Sequence, residues 1–425
     1  MFRSTVLGLG LVVALPGMVL AARGGFWLSP VARIPPPNAV GPVVAPGAQV
    51  LRLAAVGDVM VYQALKRAAR QEEDTDLDGE SRNNAGWNSL FEDVSDILHT
   101  ADLGFANLES PILPAPSEDP WFLESGAFPL FKAPPELAAA LRWANFSVVS
   151  LANNHSMDQG GRGVASSLEA VKLNDLTPVG AGHTRELAEA PEIQEIKGIT
   201  IGWLGATALS NKGGRPDPLK PQVAMLDEGT LPGFIERVRS LRQKVDVVIL
   251  SVHWGEEEKT RPREREVRWA HALCEAGVDV VLGHHPHVLQ PVEVYPTRDG
   301  RTAVVAYSLG NFVSANPRTA WRDGAILIIE AARTVPGHTV RLTSYGTVPT
   351  WTDLSDRQLR VVATDRLIRT LKIRLEDPDL DEEARASLEE QLDAGEKQAA
   401  RVRTALGSDR TDLLGPHPPI SGAQP

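Results

Sequence analysis

The stretch VVLGHHPHVLQPVE, residues 280–293, runs from an apolar segment through Gly283 into three imidazoles, His284, His285 and His287. Histidine is scarce here, ten residues in 425, so this density needs a cause. A short β-branched run closed by glycine reads as a buried strand. Chemically capable residues just past its end read as a site, because open α/β sheets bind ligands beyond the carboxyl ends of their strands.

The same punctuation recurs along the chain. Strands are expected at LRLAAVG (51–57), DLGFANL (102–108), FSVVSLA (146–152), TIGWLGAT (200–207), VDVVILSV (245–252), VDVVLG (278–283) and TAVVAYSL (302–309). GAILIIEAA and TVRLTSYGTV follow as an antiparallel pair. Helices are expected between strands, at Gly160–Asn174, Gly233–Lys244 and Arg263–Ala276. This alternation predicts an α/β fold. Polar residues sit after the strands: Asp58, Glu109, Asn153, Asn154, His155, His253, the 284–287 cluster and Asn311.

Carboxylates and neutral imidazoles are the donors that suit Zn, Mn and Fe. Asp58, Glu109, Asn154, His253, His285 and His287 are too many for one tetrahedral ion and suit two ions sharing a bridging group. Plainer readings stand beside this one. Asp58 and Asn154 could cap following helices, and capping is the favoured reading for Asn153 and Asp158. Asn311 is either a turn residue or a pocket residue. His284 should face away from its neighbours and hold a hydrogen bond rather than a metal. Glu256, Glu257 and Glu258 read as a solvated face, with Glu257 the weaker site candidate. Cys274, the one cysteine, reads as a small buried hydrophobe. His99, His183, His271 and His338 show no pattern. DTDLDGE (74–80) begins like a calcium loop, but Ala85 stands where the bidentate glutamate belongs, so an acidic surface loop is expected.

The ordered motifs GDVM, ADLGFANLES, SLANNHSMDQG, VHWGEE, GHHPHVLQPVE and YSLGNFV resemble the CapA family of poly-γ-glutamate capsule synthesis proteins, within the calcineurin-like metallophosphoesterase superfamily. The resemblance covers roughly Val50 to Tyr345. It implies a layered αββα sandwich with mixed sheets and a dinuclear-type site holding one or two divalent transition metal ions (Mn, Fe or Zn). It implies Asp58 as ligand to one metal, Glu109 as the bridging carboxylate, Asn154 and His253 as ligands, and His285 and His287 as the closing pair. His155 takes the catalytic role, stabilising or protonating the leaving oxygen while the metal activates water. Asn107, Asn153, His284 and Asn311 are left as substrate-binding or supporting residues. Met60 replaces a superfamily histidine, Asn-Leu-Glu replaces Gly-Asp, and Asn153 replaces a glycine. These changes match the subfamily and imply one firm metal and a weaker second.

The ends of the chain read differently. Residues 1–23 combine Arg3 with an apolar run, as a cleaved signal or an uncleaved anchor would. Residues 24–49 form a Pro-rich linker, 50–350 the main domain, 351–407 a helical segment and 408–425 a disordered tail. Leu367, Ile368, Leu371 and Leu375 predict a helix within Leu359–Leu375, and Ala384, Leu388 and Leu392 a second. Export is therefore expected, with membrane contact only through the amino terminus. The net charge of -11 argues against nucleic acid. It also disfavours a polyanion unless bound cations carry the contact; an anionic polymer or a phosphoester as substrate, and envelope polymer-synthesis proteins as partners, are what the resemblance implies. Three functions stay open: an exported protein of capsule or envelope polymer biosynthesis with a dinuclear-type metal site, a metal-dependent phosphoesterase or hydrolase unrelated to capsule, and a non-catalytic polymer-binding or tethering component.

Overall fold

The computed structural model describes residues 48–74, 81–114, 131–211, 217–333, 339–354, 359–407 and 410–412. The leader, nearly all of the linker, the tail beyond 412, acidic residues 75–80 and His338 lie outside them. The first elements are β1 (Gln49–Val59), α1 (Gln63–Gln71), α2 (Glu92–Leu98), β2 (Leu103–Leu108), α3 (Glu136–Trp143) and β3 (Phe146–Ser150). Then come α4 (Gly160–Leu173), β4 (Thr177–Val179), β5 (Ala181–Gly182), α5 (Arg185–Glu189), β6 (Glu192–Ile196) and β7 (Ile199–Thr207). The middle adds β8 (Gln222–Val223), α6 (Leu231–Arg242), β9 (Val247–His253), α7 (Glu264–Ala276), β10 (Val280–His284) and β11 (Val292–Pro296). The last part is β12 (Thr302–Ala306), β13 (Asn311–Val313), β14 (Asp323–Arg333), β15 (Arg341–Asp353) and β16 (Arg360–Ala363). Helices α8 (Thr364–Leu375) and α9 (Glu382–Leu406) and the short β17 (Arg410–Asp412) close it.

Two mixed sheets carry the architecture. The larger runs β16-β15-β14-β1-β2-β3-β4, with β13 joined to β1 and β17 to β15. The smaller runs β11-β12-β10-β9-β7-β6. The central strands read as unbroken apolar runs because they are covered on both faces. In β1, Leu51, Leu53 and Ala55 point into the layer between the sheets, where they meet Phe105, Trp203, Ile249 and Leu282. Ala54 and Val56, on the opposite face, pack with α1 to α4. The outer face of the smaller sheet is covered by α6 and α7 through Phe234, Val238, Trp269 and Leu273. The result is the αββα layering expected from the sequence. Phe105 and Trp203, from opposite sheets, stack with centroids 5.7 Å apart and tie the layers together.

The C-terminal segment holds the two expected helices but opens on a strand. Arg360–Ala363 is a strand, antiparallel to β15, and the first helix begins only at Thr364. Four residues are too few for a periodicity to declare itself. Helix α9 packs back on the large sheet. Gln398 is fully buried, accepts the Thr364 hydroxyl at 2.6 Å and donates to the Thr350 carbonyl at 2.9 Å. Arg401 forks onto Asp323, the first residue of β14, at 3.0 and 3.1 Å. Among the described residues no helix is long and apolar enough to cross a membrane.

Candidate metal centre

Strand register assembles the site. Asp58 near the end of β1 lies level with Asn107 on β2 and with Asn311 on β13. His253 ending β9 pairs with His284 ending β10. Glu109 follows β2 directly, and Asn153, Asn154 and His155 follow β3. Two glycines allow the approach. A Cβ on Gly57 would sit 1.9 Å from the Gly310 carbonyl oxygen, and one on Gly283 2.0 Å from that of Tyr307. Any side chain there would push apart the strands whose ends carry Asp58 and the histidine cluster.

His285 and His287 are held in the left-handed region, at φ 98° and 59°. For residues with a Cβ each such conformation costs on the order of 1–3 kcal/mol and persists only where surroundings impose it. Here they do: Trp254 donates its backbone N–H to the His284 carbonyl at 3.0 Å and Glu258 donates to that of Pro286 at 2.9 Å. Trp321 lies against the His287 ring at 4.6 Å. The distorted backbone brings three imidazoles together, with His253–His285 and His285–His287 centroids 4.9 and 5.6 Å apart.

Glu109 is the hub. Its carboxylate is fully buried, with His253 Nε2 3.4 Å and His287 Nε2 3.9 Å from Oε1. Two overlapping donor sets share it: Glu109, His285 and His287, and Asp58, Glu109 and His253, with the atoms of each set within 4.8 Å of one another. Neighbours aim the donors, as supporting residues of metal ligands commonly do. The Asn311 amide oxygen lies 3.0 Å from His287 Nδ1, turning Nε2 toward Glu109. Asn107 donates to Asp58 Oδ1 at 2.8 Å, and Asn153 donates to Asn107 and to the Leu108 carbonyl at 3.3 and 3.0 Å. Asn154 Oδ1 is 2.8 Å from His253 Nε2. His284 lies against Phe105 and places Nδ1 3.3 Å from Asp58 Oδ1.

The electrostatics are those of a cation site. Burial opposes ionisation of Asp58, but His284 and His287 outweigh it and hold the carboxyl well below its usual range. Burial, then the Asp58 and Glu257 carboxylates, push Glu109 far above its usual range. Burial and the neighbouring His285 keep His253 neutral. Burial and His287 drop His285 to about 3. Both Glu109 oxygens, His284 Nε2 and His285 Nδ1 are buried with no hydrogen-bond partner. Orphaned buried acceptors are costly, and a cation coordinated by oxygen and nitrogen would satisfy them. The donor set therefore fits a divalent transition metal.

His155 stands beside this cluster. Its Nδ1 lies 2.8 Å from Asp158 Oδ2, and its ring packs edge-on against Phe131 at 4.4 Å. A carboxylate can only accept, so Nδ1 carries the proton and Nε2 remains for a substrate.

Some readings are corrected. Asp158 is not a helix cap, since the N-cap position of α4 falls at Gln159. The Asp158 carboxylate instead receives His155 and the Phe131 N–H at 2.8 Å, because a buried carboxylate is held by the donors that reach it. Asn153 likewise bridges β2 and its own turn, accepting the Ser156 hydroxyl at 2.9 Å. Asp58 lies within β1, and the side chain of Asn154 is engaged by His253, so neither caps a helix. Asn211, beyond β7, went unrecognised. Its amide oxygen accepts from Asn154 at 3.2 Å and its Nδ2 lies 3.3 Å from His155 Nδ1. The strand-end rule that found the other residues would have found it.

The sequence matches the family described as bacterial capsule synthesis protein PGA_cap over residues 52–316. It is 31% identical over 279 residues to the PGA biosynthesis protein CapA of Bacillus subtilis (strain 168), covering 65% of this chain and 67% of that one. It is 30% identical over 291 residues to the capsule biosynthesis protein CapA of Bacillus anthracis, covering 68% and 66%. The chain thus spans about two thirds of the length of these curated relatives. A crystal structure of a hypothetical protein from Thermus thermophilus aligns with 70% of this chain and 98% of its own, at 16% identity and a TM-score of 0.40. The matched segment holds every residue of the buried cluster, from Asp58 to Asn311, and on that extent of agreement the chain belongs to the bacterial capsule synthesis protein family, PGA_cap.

Proposed function

We propose that this protein is exported and acts at the cell envelope on a poly-γ-glutamate type of capsule polymer, through a hydrolytic site built around one or two divalent transition metal ions. Membership of the capsule synthesis family and the names of the Bacillus relatives support the biological role. The basic, apolar leader supports export. One observation carries the chemistry: the Glu109 carboxylate is fully buried and unpartnered among Asp58, His253, His285 and His287.

Asp58, Glu109, His253, His285 and His287 would hold the metal, with Asn154 beside His253. A bound divalent cation supplies Lewis acidity toward a substrate oxygen and favours deprotonation of water. This chain's own contribution is positional. Asn311, Asn107 and His284 keep the ligands oriented, and the ligands themselves are buried. His155, oriented by Asp158, exchanges a proton with the leaving oxygen through Nε2. The bond broken is an ester, phosphoester or amide. The acidic chain meets an anionic polymer through its cations.

Elemental analysis of the purified full chain after incubation with manganese, iron or zinc tests the centre, with one to two ions per chain expected. Hydrolysis of an aryl phosphate and of a γ-linked glutamate oligomer, run beside His155→Ala, tests the chemistry. Metal-free protein would remove the first half of the proposal, and equal rates in both proteins the second. A chain that binds metal and oligomer without turnover would be a tethering component.

A further inference from the structure

Asn211 lies just past β7, in a turn pinned to the metal centre. Ala208 donates its backbone N–H to the His253 carbonyl at 2.8 Å, and the Leu209 N–H reaches the Thr207 hydroxyl at 3.1 Å. The Asn211 N–H reaches the Asn154 carbonyl at 3.2 Å. Its side-chain amide is oriented from the donor cluster outward. Asn154 turns Oδ1 toward His253 Nε2, 2.8 Å away, on the side of the metal ligands. Its Nδ2 points the other way and donates to Asn211 Oδ1 at 3.2 Å. With Oδ1 so engaged, Asn211 Nδ2 faces His155, 3.3 Å from Nδ1. That ring nitrogen is no acceptor, because it carries the proton held by the Asp158 carboxylate at 2.8 Å. Two donors therefore face each other, and the Asn211 N–H finds no acceptor in this contact. Asn154 and His155 are buried, whereas Asn211 is half-buried, so a molecule entering from solvent can reach it.

We infer that Asn211 binds the substrate, its Nδ2 donating to an acyl or phosphoryl oxygen of the group under attack, beside the leaving oxygen served by His155. The assignment rests on the hydrolytic reading above and adds to it a residue outside the metal ligands. An oxygen arriving there relieves the contact between two donors by accepting from one of them. The amide is neutral, so it suits an ester, a phosphoester or an amide alike. It is also held in advance by Asn154 and by the pinned turn, so little has to reorganise as negative charge grows on the oxygen it meets. A role confined to supporting Asn154 would use only the Asn211 side-chain oxygen and backbone, and would leave its N–H idle. The two ends of this one amide thus make separable contributions.

The test compares Asn211→Asp and Asn211→Ala with wild type, each as the full chain loaded with manganese. Asn211→Asp keeps an oxygen for Asn154 and removes the N–H, at the cost of a charge. Asn211→Ala removes the N–H without adding charge. Manganese affinity and melting temperature are measured on each protein, with calorimetric binding of inorganic phosphate. Values of kcat and KM are taken on whichever of an aryl phosphate and a γ-linked glutamate oligomer the wild type hydrolyses. Both variants are expected to bind phosphate about tenfold more weakly once saturated with manganese, and to lose about 100-fold in kcat/KM. Asn211→Asp is expected to keep the manganese affinity of wild type. Wild-type phosphate binding and turnover in Asn211→Ala overturn the assignment and leave the hydrolytic reading standing. So does a loss confined to Asn211→Asp, which is charge repulsion alone. Weaker manganese binding in Asn211→Ala, with wild-type phosphate binding and turnover at saturation, reduces Asn211 to a support of Asn154. A wild type that holds manganese yet neither binds phosphate nor turns over either substrate removes the hydrolytic reading and this assignment with it.

Discussion

Asp158 Oδ2 lies 2.8 Å from Nδ1 of His155, and the same oxygen receives the Phe131 N–H at 2.8 Å. One buried carboxylate thus sets the proton position and the orientation of the imidazole nearest the donor cluster. Asp158→Asn keeps the shape but replaces the acceptor, so His155 can rotate or change tautomer. Turnover of the aryl phosphate is expected to fall by about 10- to 100-fold at unchanged metal content. The His155 ring nitrogen resonances should move as well, which a purely structural loss would not produce.

Glu109→Gln separates metal binding from folding. Without metal, a buried carboxyl surrounded by other carboxylates is a burden, and the neutral isostere removes it. The variant should melt no lower than wild type in EDTA, yet lose metal affinity by about 100-fold or more. Differential scanning calorimetry with and without manganese reads both. A variant that melts lower in EDTA and keeps its metal would refute the hub role of Glu109.

Acid should destabilise the metal-free protein. His253 and His285 are kept neutral when folded, His285 titrating near 3, whereas unfolded imidazoles titrate near about 6.5. Their contribution is full above the unfolded value and is lost as pH falls below it, by up to about 1.4 kcal/mol per pH unit for each ring. Glu109 acts with the opposite sign. Its folded pKa is raised, so its contribution declines as pH rises above the unfolded value of about 4.5. Two rings outweigh one carboxyl between about pH 4.5 and 6.5, and urea unfolding should give lower stability at pH 5 than at pH 7. In Glu109→Gln the slope should steepen.

Gln398 locks the C-terminal helices to the large sheet. Gln398→Ala leaves the buried Thr350 carbonyl and Thr364 hydroxyl without their partner and opens a void. A loss of about 2–3 kcal/mol is expected. Chemical denaturation measures it. A loss below about 0.5 kcal/mol would mean that the helices contribute little to the folded domain.

Much of this molecule was legible in its sequence. The central strands announced themselves because burial on both faces leaves few polar residues to interrupt them, as in β9, where only Ser251 breaks the apolar run before His253, and the helices between them because one face is wet. Asp58, Glu109, Asn154, His253, His285 and His287 were legible because packing alone gives no reason to set polar donors just past one apolar run after another. What was not legible depends on partners far away in sequence. Arg360–Ala363 is a strand only because β15 offers it an edge. Asp158 looks like a helix cap until His155 folds back to it. The left-handed backbone at His285 and His287 has no signature in composition, since it is imposed by Trp254, Glu258 and Trp321.

The alignment of β1 between β2 and β13 has a consequence for how the protein can vary. Side chains alternate across a strand, so a slip of β1 by one position would carry Asp58 to the opposite side of the sheet and put a neighbouring aliphatic residue among the imidazoles. An insertion or deletion inside this single ladder would therefore scatter the buried donor cluster, whereas one in a loop at the rim would leave it in place.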